Sequence, residues 1–133
     1  MAWLFLAAMI AGVLGFAGWV RMAPSDPARW HVSPPVARDT DRPAGVVRVV
    51  QGDLAALDAI IAAEPRTRRL AGSVDEGRIT YITRTALWGF PDYCTVERQN
   101  GSLVIWSRLR FGRSDIGVNK ARVTRWLADL AQD

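Results

Sequence analysis

Hydropathy divides the chain into three stretches. Ala2 to Val20 is a run of 19 residues without a charged or strongly polar side chain. As a helix it spans roughly 28 Å, close to the ~30 Å hydrocarbon core of a bilayer. Trp3 and Trp19 stand near its two ends, where indoles favour the membrane interface, and Arg21 closes it. Residues 1–21 are therefore expected to be a retained transmembrane anchor, with the lipid bilayer as partner through residues 2–20. A cleaved signal peptide is the alternative, with Gly15-Phe16-Ala17 as its cleavage site. No Lys or Arg precedes the apolar run, as one would in most signal peptides. Ala7, Ala11 and Gly15 recur every four residues, a spacing that lets a second transmembrane helix, and so a membrane protein partner, approach closely.

The second stretch, residues 22–45, holds five of the seven prolines and is expected to be an extended linker. Trp30 and His31 stand within it, and a Trp in such a segment is expected to dock onto something. The third stretch, residues 46–133, shows the periods of a small folded domain. Asp53 caps a helix whose Leu54, Leu57 and Ile61 share one face and which Pro65 ends. A short strand begins near Arg66–Leu70, Asp75-Glu76-Gly77 turns, and Arg78–Arg84 is strand. Ala86–Pro91, with its Gly and Pro, interrupts the sheet.

Asn100-Gly101 between two β-like runs predicts a two-residue type I′ hairpin. That turn sets Gln99 opposite Ser102, Val96 opposite Ile105 and Cys94 opposite Ser107. Alternation then puts Cys94, Val96, Leu103, Ile105, Leu109 and Phe111 on a core face, and Tyr93, Thr95, Trp106, Arg108 and Arg110 on the other. A final helix from Ile116 to about Ala131 carries the stripe Ile116, Val123, Trp126, Leu127 and Leu130, with Ser114 or Asp115 as its cap. The fold class is α+β: a transmembrane helix, then a two-layer domain of three or four antiparallel strands with a helix before and after.

Composition narrows the chemistry. Residues 46–133 can bury one small core and no more. A single cysteine, Cys94, excludes an internal disulfide framework, and a single histidine, His31, excludes sites needing two. No metal ligand set and no cofactor motif is legible. The net charge is +4, and 16 of the 17 basic residues are Arg. Acids are interspersed among them, so no basic stripe suited to nucleic acid forms. Cys94 falls on the core face without a base nearby, and Gly112–Gly117 lacks the Lys-Ser/Thr of a phosphate loop.

Two places remain for binding. One is the second hairpin face with Tyr93, Trp106, Arg108 and Arg110, whose arginines and aromatics suit an anionic or aromatic ligand or a protein partner. The other is the last strand–helix corner with Arg110, Arg113, Asp115, Asn119 and Arg122, where a helix N-terminus meets arginines.

Gly89-Phe90-Pro91-Asp92, a hairpin, and then Ser107 through Arg122 (SRLRFGRSDIGVNKAR) resemble the family called domain of unknown function 1499. The segment Asp26–Pro34 resembles the lead-in to that domain in proteobacterial members. Tyr93 stands where a second Asp is usual, Cys94 where Val is usual and Trp106 where Arg is usual. The family has no established reaction, so the resemblance carries over no catalytic residue. It implies a bacterial cell-envelope domain on the periplasmic side of the inner membrane. The few arginines after the apolar run, read by the positive-inside rule, point instead to the cytoplasm. The expected function is a membrane-anchored accessory or binding module contacting a protein partner or an anionic ligand, more a binder than an enzyme. The alternative is a small enzyme using Asp92, Arg110, Asp115 and Asn119.

Overall fold

The computed structural model describes residues 1–132. Helix α1 (Ala2–Met22) is apolar along its length, with a mean hydropathy of 2.0, and is long enough to cross a membrane. Only Ala17 and Val20 of α1 are buried, both near its C-terminal end, where the helix meets the domain. Trp19 packs edge-on against Phe111, and Phe16 against Phe90.

The domain is one antiparallel sheet with two helices on one face. The strands are β1 (Thr40–Arg42), β2 (Gly45–Val50), β3 (Thr67–Ser73), β4 (Arg78–Arg84), β5 (Pro91–Gln99) and β6 (Ser102–Leu109), in the order β1-β2-β6-β5-β4-β3. There are six strands rather than three or four: β1 and β2 were not anticipated. The type I′ hairpin stands as expected, with Asn100 and Gly101 both at positive φ and Cys94 opposite Ser107.

Helix α3 (Leu54–Ala62) follows β2, and Asp53 accepts the Ala56 amide at its start. Helix α4 (Val118–Leu130) ends the fold. Leu54, Leu57 and Ile61 of α3 and Val123 and Trp126 of α4 pack on Val46, Ile79, Tyr81, Cys94, Val96, Leu103 and Ile105 of the sheet. Two hydrogen bonds tie down the aromatic polar tips: Tyr81 Oη donates to Asp58 at 2.6 Å and Trp126 Nε1 to Glu64 at 3.0 Å. Three expected core positions differ. Leu109 is only half-buried and outside this cluster, Phe111 packs toward α1, and Ile116 is 93% exposed, ahead of the helix.

The segment 22–45 is more structured than a linker. Asp26 caps a single helical turn, α2 (Pro27–Trp30), and β1 joins the sheet edge. The turn lays Trp30 flat on Tyr93, with ring centroids 3.9 Å apart and planes 6° apart. Trp30, Ile82 and Tyr93, with Leu70 beside them, make a second small core on the sheet face opposite the helices. The hairpin face offered above as a place for binding is thus covered at Tyr93 by the chain's own segment.

Candidate functional site

Buried polar groups gather on β5 and β6 and at the start of α4. Thr95, Ser107, Arg108 and Asn119 are all buried, and they form two sets on the two faces of β6.

On the helix side, Asp115 organises the corner. Its carboxylate accepts the amides of Gly117 and Asn119 and the Asn119 side-chain Nδ2 at 2.7 Å. Gly117, at φ +77, supplies the left-handed residue that turns the chain into α4. Ser107 Oγ donates to Asn119 Oδ1, and Arg122 Nη1 donates to Asn119 Oδ1 and to Asp92 Oδ2 at 3.3 Å. Burial pushes the Asp92 carboxyl above the usual carboxylate range, against the pull of Arg122. The two separated motifs, Gly89–Asp92 and Ser107–Arg122, therefore meet in space through the Asp92–Arg122 pair.

On the other face, Arg108 is the centre. It is 6% exposed and lies directly across from Tyr93 in the β5–β6 register. Its Nη2 donates to the Trp30 carbonyl at 2.6 Å, and its Nη1 to Thr95 Oγ1 at 2.9 Å and the Trp106 carbonyl at 3.1 Å. The guanidinium stacks over Trp106, its Cζ 3.8 Å from the ring centroid. Among the described residues no carboxylate pairs with it, and its Nε has no acceptor. Burial pulls its pKa down to about 10, so it remains a cation at neutral pH. An unneutralised buried charge is costly, which makes this one conspicuous. Tyr93 is the residue across from it on β5, so no carboxylate faces Arg108 from that position.

A hydrogen-bonded chain leads from Arg108 to the surface. Thr95 meets Thr80 at 2.9 Å, Thr80 meets His31 Nδ1 at 2.8 Å, and His31 Nε2 meets Glu76 at 2.9 Å. Neither Thr80 nor Glu76 was singled out in the sequence. Their types and spacing carry no motif, and only the fold brings them to His31.

Beside Arg108 lies a groove of about 300 Å³ between the β1–β2 edge and β6. Trp106, Arg108 and Leu109 form one side, and Thr40, Arg42 and Val47 the other. Its volume is at the lower end for small-molecule sites.

The candidate residues thus separate. Trp106 and Arg108 line the groove. Tyr93 is buried beneath Trp30, and Arg110 donates to Tyr93 Oη and to the Pro24 carbonyl. Asp115, Asn119 and Arg122 belong to the helix-side corner, and Arg113 is exposed beside it. Arg110 is on the opposite face from Asp92 and Asn119, with which it was grouped as a possible enzyme site. Among the described residues, no three His, Cys, Asp or Glu side chains gather as a metal site.

Compared with known proteins, the chain matches no curated protein and no solved structure. One family model does match, over residues 20–130, from the end of α1 to the end of α4. The chain belongs to that family, described as "Protein of unknown function (DUF1499)".

Proposed function

We propose that this chain is a membrane-anchored binding module that holds a small anionic ligand in the groove beside Arg108. In this reading α1 crosses the bacterial inner membrane once and the domain stands on its periplasmic side, as the family resemblance implies. The carrying observation is the buried Arg108 cation, which has no carboxylate partner among the described residues, has an Nε without an acceptor, and lines a groove with largely apolar walls. A phosphate or carboxylate entering there supplies the missing countercharge and acceptor, as charge-assisted bonds to Arg favour. Arg42 at the groove's opposite wall adds a second positive charge, and Trp106 offers a flat apolar surface.

Trp30 and Trp106 both flank Arg108, so intrinsic fluorescence reports occupancy. The full chain in a neutral maltoside detergent is titrated with dodecyl phosphate, with inorganic phosphate and with dodecyltrimethylammonium. The expected result is a saturable change with one or both phosphates and none with the cation. Which phosphate binds separates an amphiphile from a free ion. Arg108→Met should weaken binding roughly tenfold or more, the loss of one charged hydrogen-bonding partner. Arg42→Gln, at an edge position away from the Trp30 clamp, should weaken it less. An equal response to the cationic amphiphile, or full binding by both variants, would overturn the reading.

A second reading, a small enzyme at the β6–α4 corner, is favoured by Asp92. Its raised carboxyl is suited to hold a proton beside the Ser107–Asn119–Asp115 chain. Loss of a turnover in Asp92→Asn, with groove binding unchanged, would carry that reading instead.

A further inference from the structure

We propose that the loop joining β4 to β5 is a second membrane contact, with Leu87 and Trp88 immersed in lipid beside α1. This rests on the anchoring reading of α1. Thr85 to Pro91 (TALWGFP) is seven residues without a charge, and its tip is apolar. Leu87 is 73% exposed and Trp88 is also exposed, unusual for large apolar side chains on a loop that faces water.

The loop does not project freely. It is held along α1, toward the middle of the helix. Arg21 Nη2 donates to the Leu87 carbonyl at 2.8 Å, and Phe90 packs against Phe16. Trp88 and Phe90 then form an apolar groove with Met9, Gly12, Val13 and Phe16. Gly12 precedes Arg21 by nine positions. At ~1.5 Å per residue, Trp88 therefore reaches roughly 13 Å back along the helix from Arg21. That approaches half the ~30 Å thickness of a hydrocarbon core. A bilayer that receives α1 up to Trp19 thus surrounds this loop as well, and the groove between them is continuous with the lipid-facing surface of the helix.

Part of the loop's backbone is already paired within the protein. Irregular chain at membrane depth needs its polar groups satisfied by protein. The Leu87 carbonyl accepts from Arg21, the Gly89 carbonyl from Arg84 at 2.8 Å and the Phe90 carbonyl from the Thr85 amide. The Gly89 amide donates to the Thr85 carbonyl, and the Phe90 amide to Thr85 Oγ1. Gly89 is required at φ +71, where an added Cβ would lie 2.8 Å from Arg21 Nε. Two attachments fix the domain's tilt on the membrane, which one helix alone does not.

The test uses the full chain reconstituted in phosphatidylcholine–phosphatidylglycerol vesicles. An environment-sensitive fluorophore is attached at Leu87→Cys, Ala86→Cys, Val13→Cys or Asp75→Cys. Cys94 is buried and stays unlabelled in the folded protein. Lipids brominated on the acyl chain serve as quenchers. The proposal expects labels at 86 and 87 to be blue-shifted and quenched to the extent seen at 13, with the label at 75 unaffected. Quenching at 13 without quenching at 86 and 87 overturns the loop contact and leaves the anchor standing. No quenching at 13 overturns the anchor, and the loop proposal with it.

Discussion

Arg122→Ala is expected to lower the unfolding free energy by about 3–5 kcal/mol at pH 8, the usual cost of removing one partner from a buried ion pair. Arg122 and Asp92 are both nearly inaccessible, and Arg122 also donates to Asn119. Without it, Asp92 remains in the interior facing Asp115, another negative charge that already raises its pKa. The pH dependence has a definite sign. A carboxyl whose folded pKa lies above its unfolded value stabilises the fold while protonated, and that contribution is lost as pH rises through the folded pKa. Removing Arg122 raises the folded pKa further. The variant should therefore lose most at pH 8 and recover part of the loss on acidification toward pH 5, before other carboxylates begin to protonate. Asp92→Asn in the Arg122→Ala background should restore much of the stability at pH 8 and flatten the pH profile. Denaturant unfolding of the full chain in neutral detergent, followed by circular dichroism, reads all three. A loss independent of pH would show that Asp92 does not depend on Arg122 for its burial.

Trp30→Ala is expected to be comparably damaging, by about 3–5 kcal/mol, as for other buried aromatics truncated to Ala. Trp30 is packed flat on Tyr93 and against Ile82, and it closes the sheet face opposite the helices. Its carbonyl is also the acceptor for Arg108 Nη2. The truncation should loosen residues 31–39, so limited proteolysis should cut there in the variant and not in the parent. Trp30→Phe is the informative companion. The indole Nε1 is buried without a hydrogen-bond partner, so replacing it removes no bond and keeps a stacked ring. That variant should retain the parent's protection. Cleavage in both, or in neither, would contradict the assigned role of the stack.

What the sequence revealed and what it hid follow from range. The β5–β6 hairpin was legible because Asn100-Gly101 fixes its register locally and alternation sorts its faces. Helices α3 and α4 were legible from apolar spacing, though Ile116 misled. It fits the stripe, yet it sits at φ +55 in the turn before the helix, where Asp115 rather than periodicity sets the start. Strand β2 was missed because Val46-Val-Arg-Val-Val50 shows no clean alternation. It lies between β1 and β6, covered on both faces near its start, and such strands read as apolar runs. The site was half legible. Trp106 and Arg108 were picked out by type, but the cover over Tyr93 comes from a segment more than sixty positions away. Proline density marks such a segment as extended and says nothing of where it docks. That Arg108 has no counterion among the described residues is likewise a property of the fold, visible only once their acids have places.

In the proposed function Arg108 awaits an anion. The most direct measurement is the side-chain ¹⁵Nε–¹Hε resonance of Arg108 in the isotope-labelled full chain in neutral detergent, assigned by its absence in Arg108→Lys. Titration with dodecyl phosphate and with inorganic phosphate should move that proton downfield and saturate, as a free N–H gains a charged acceptor. Arg113, exposed and away from the groove, should show no saturable shift. An Arg108 resonance that stays fixed under both probes, or that moves only in step with Arg113, would contradict the account.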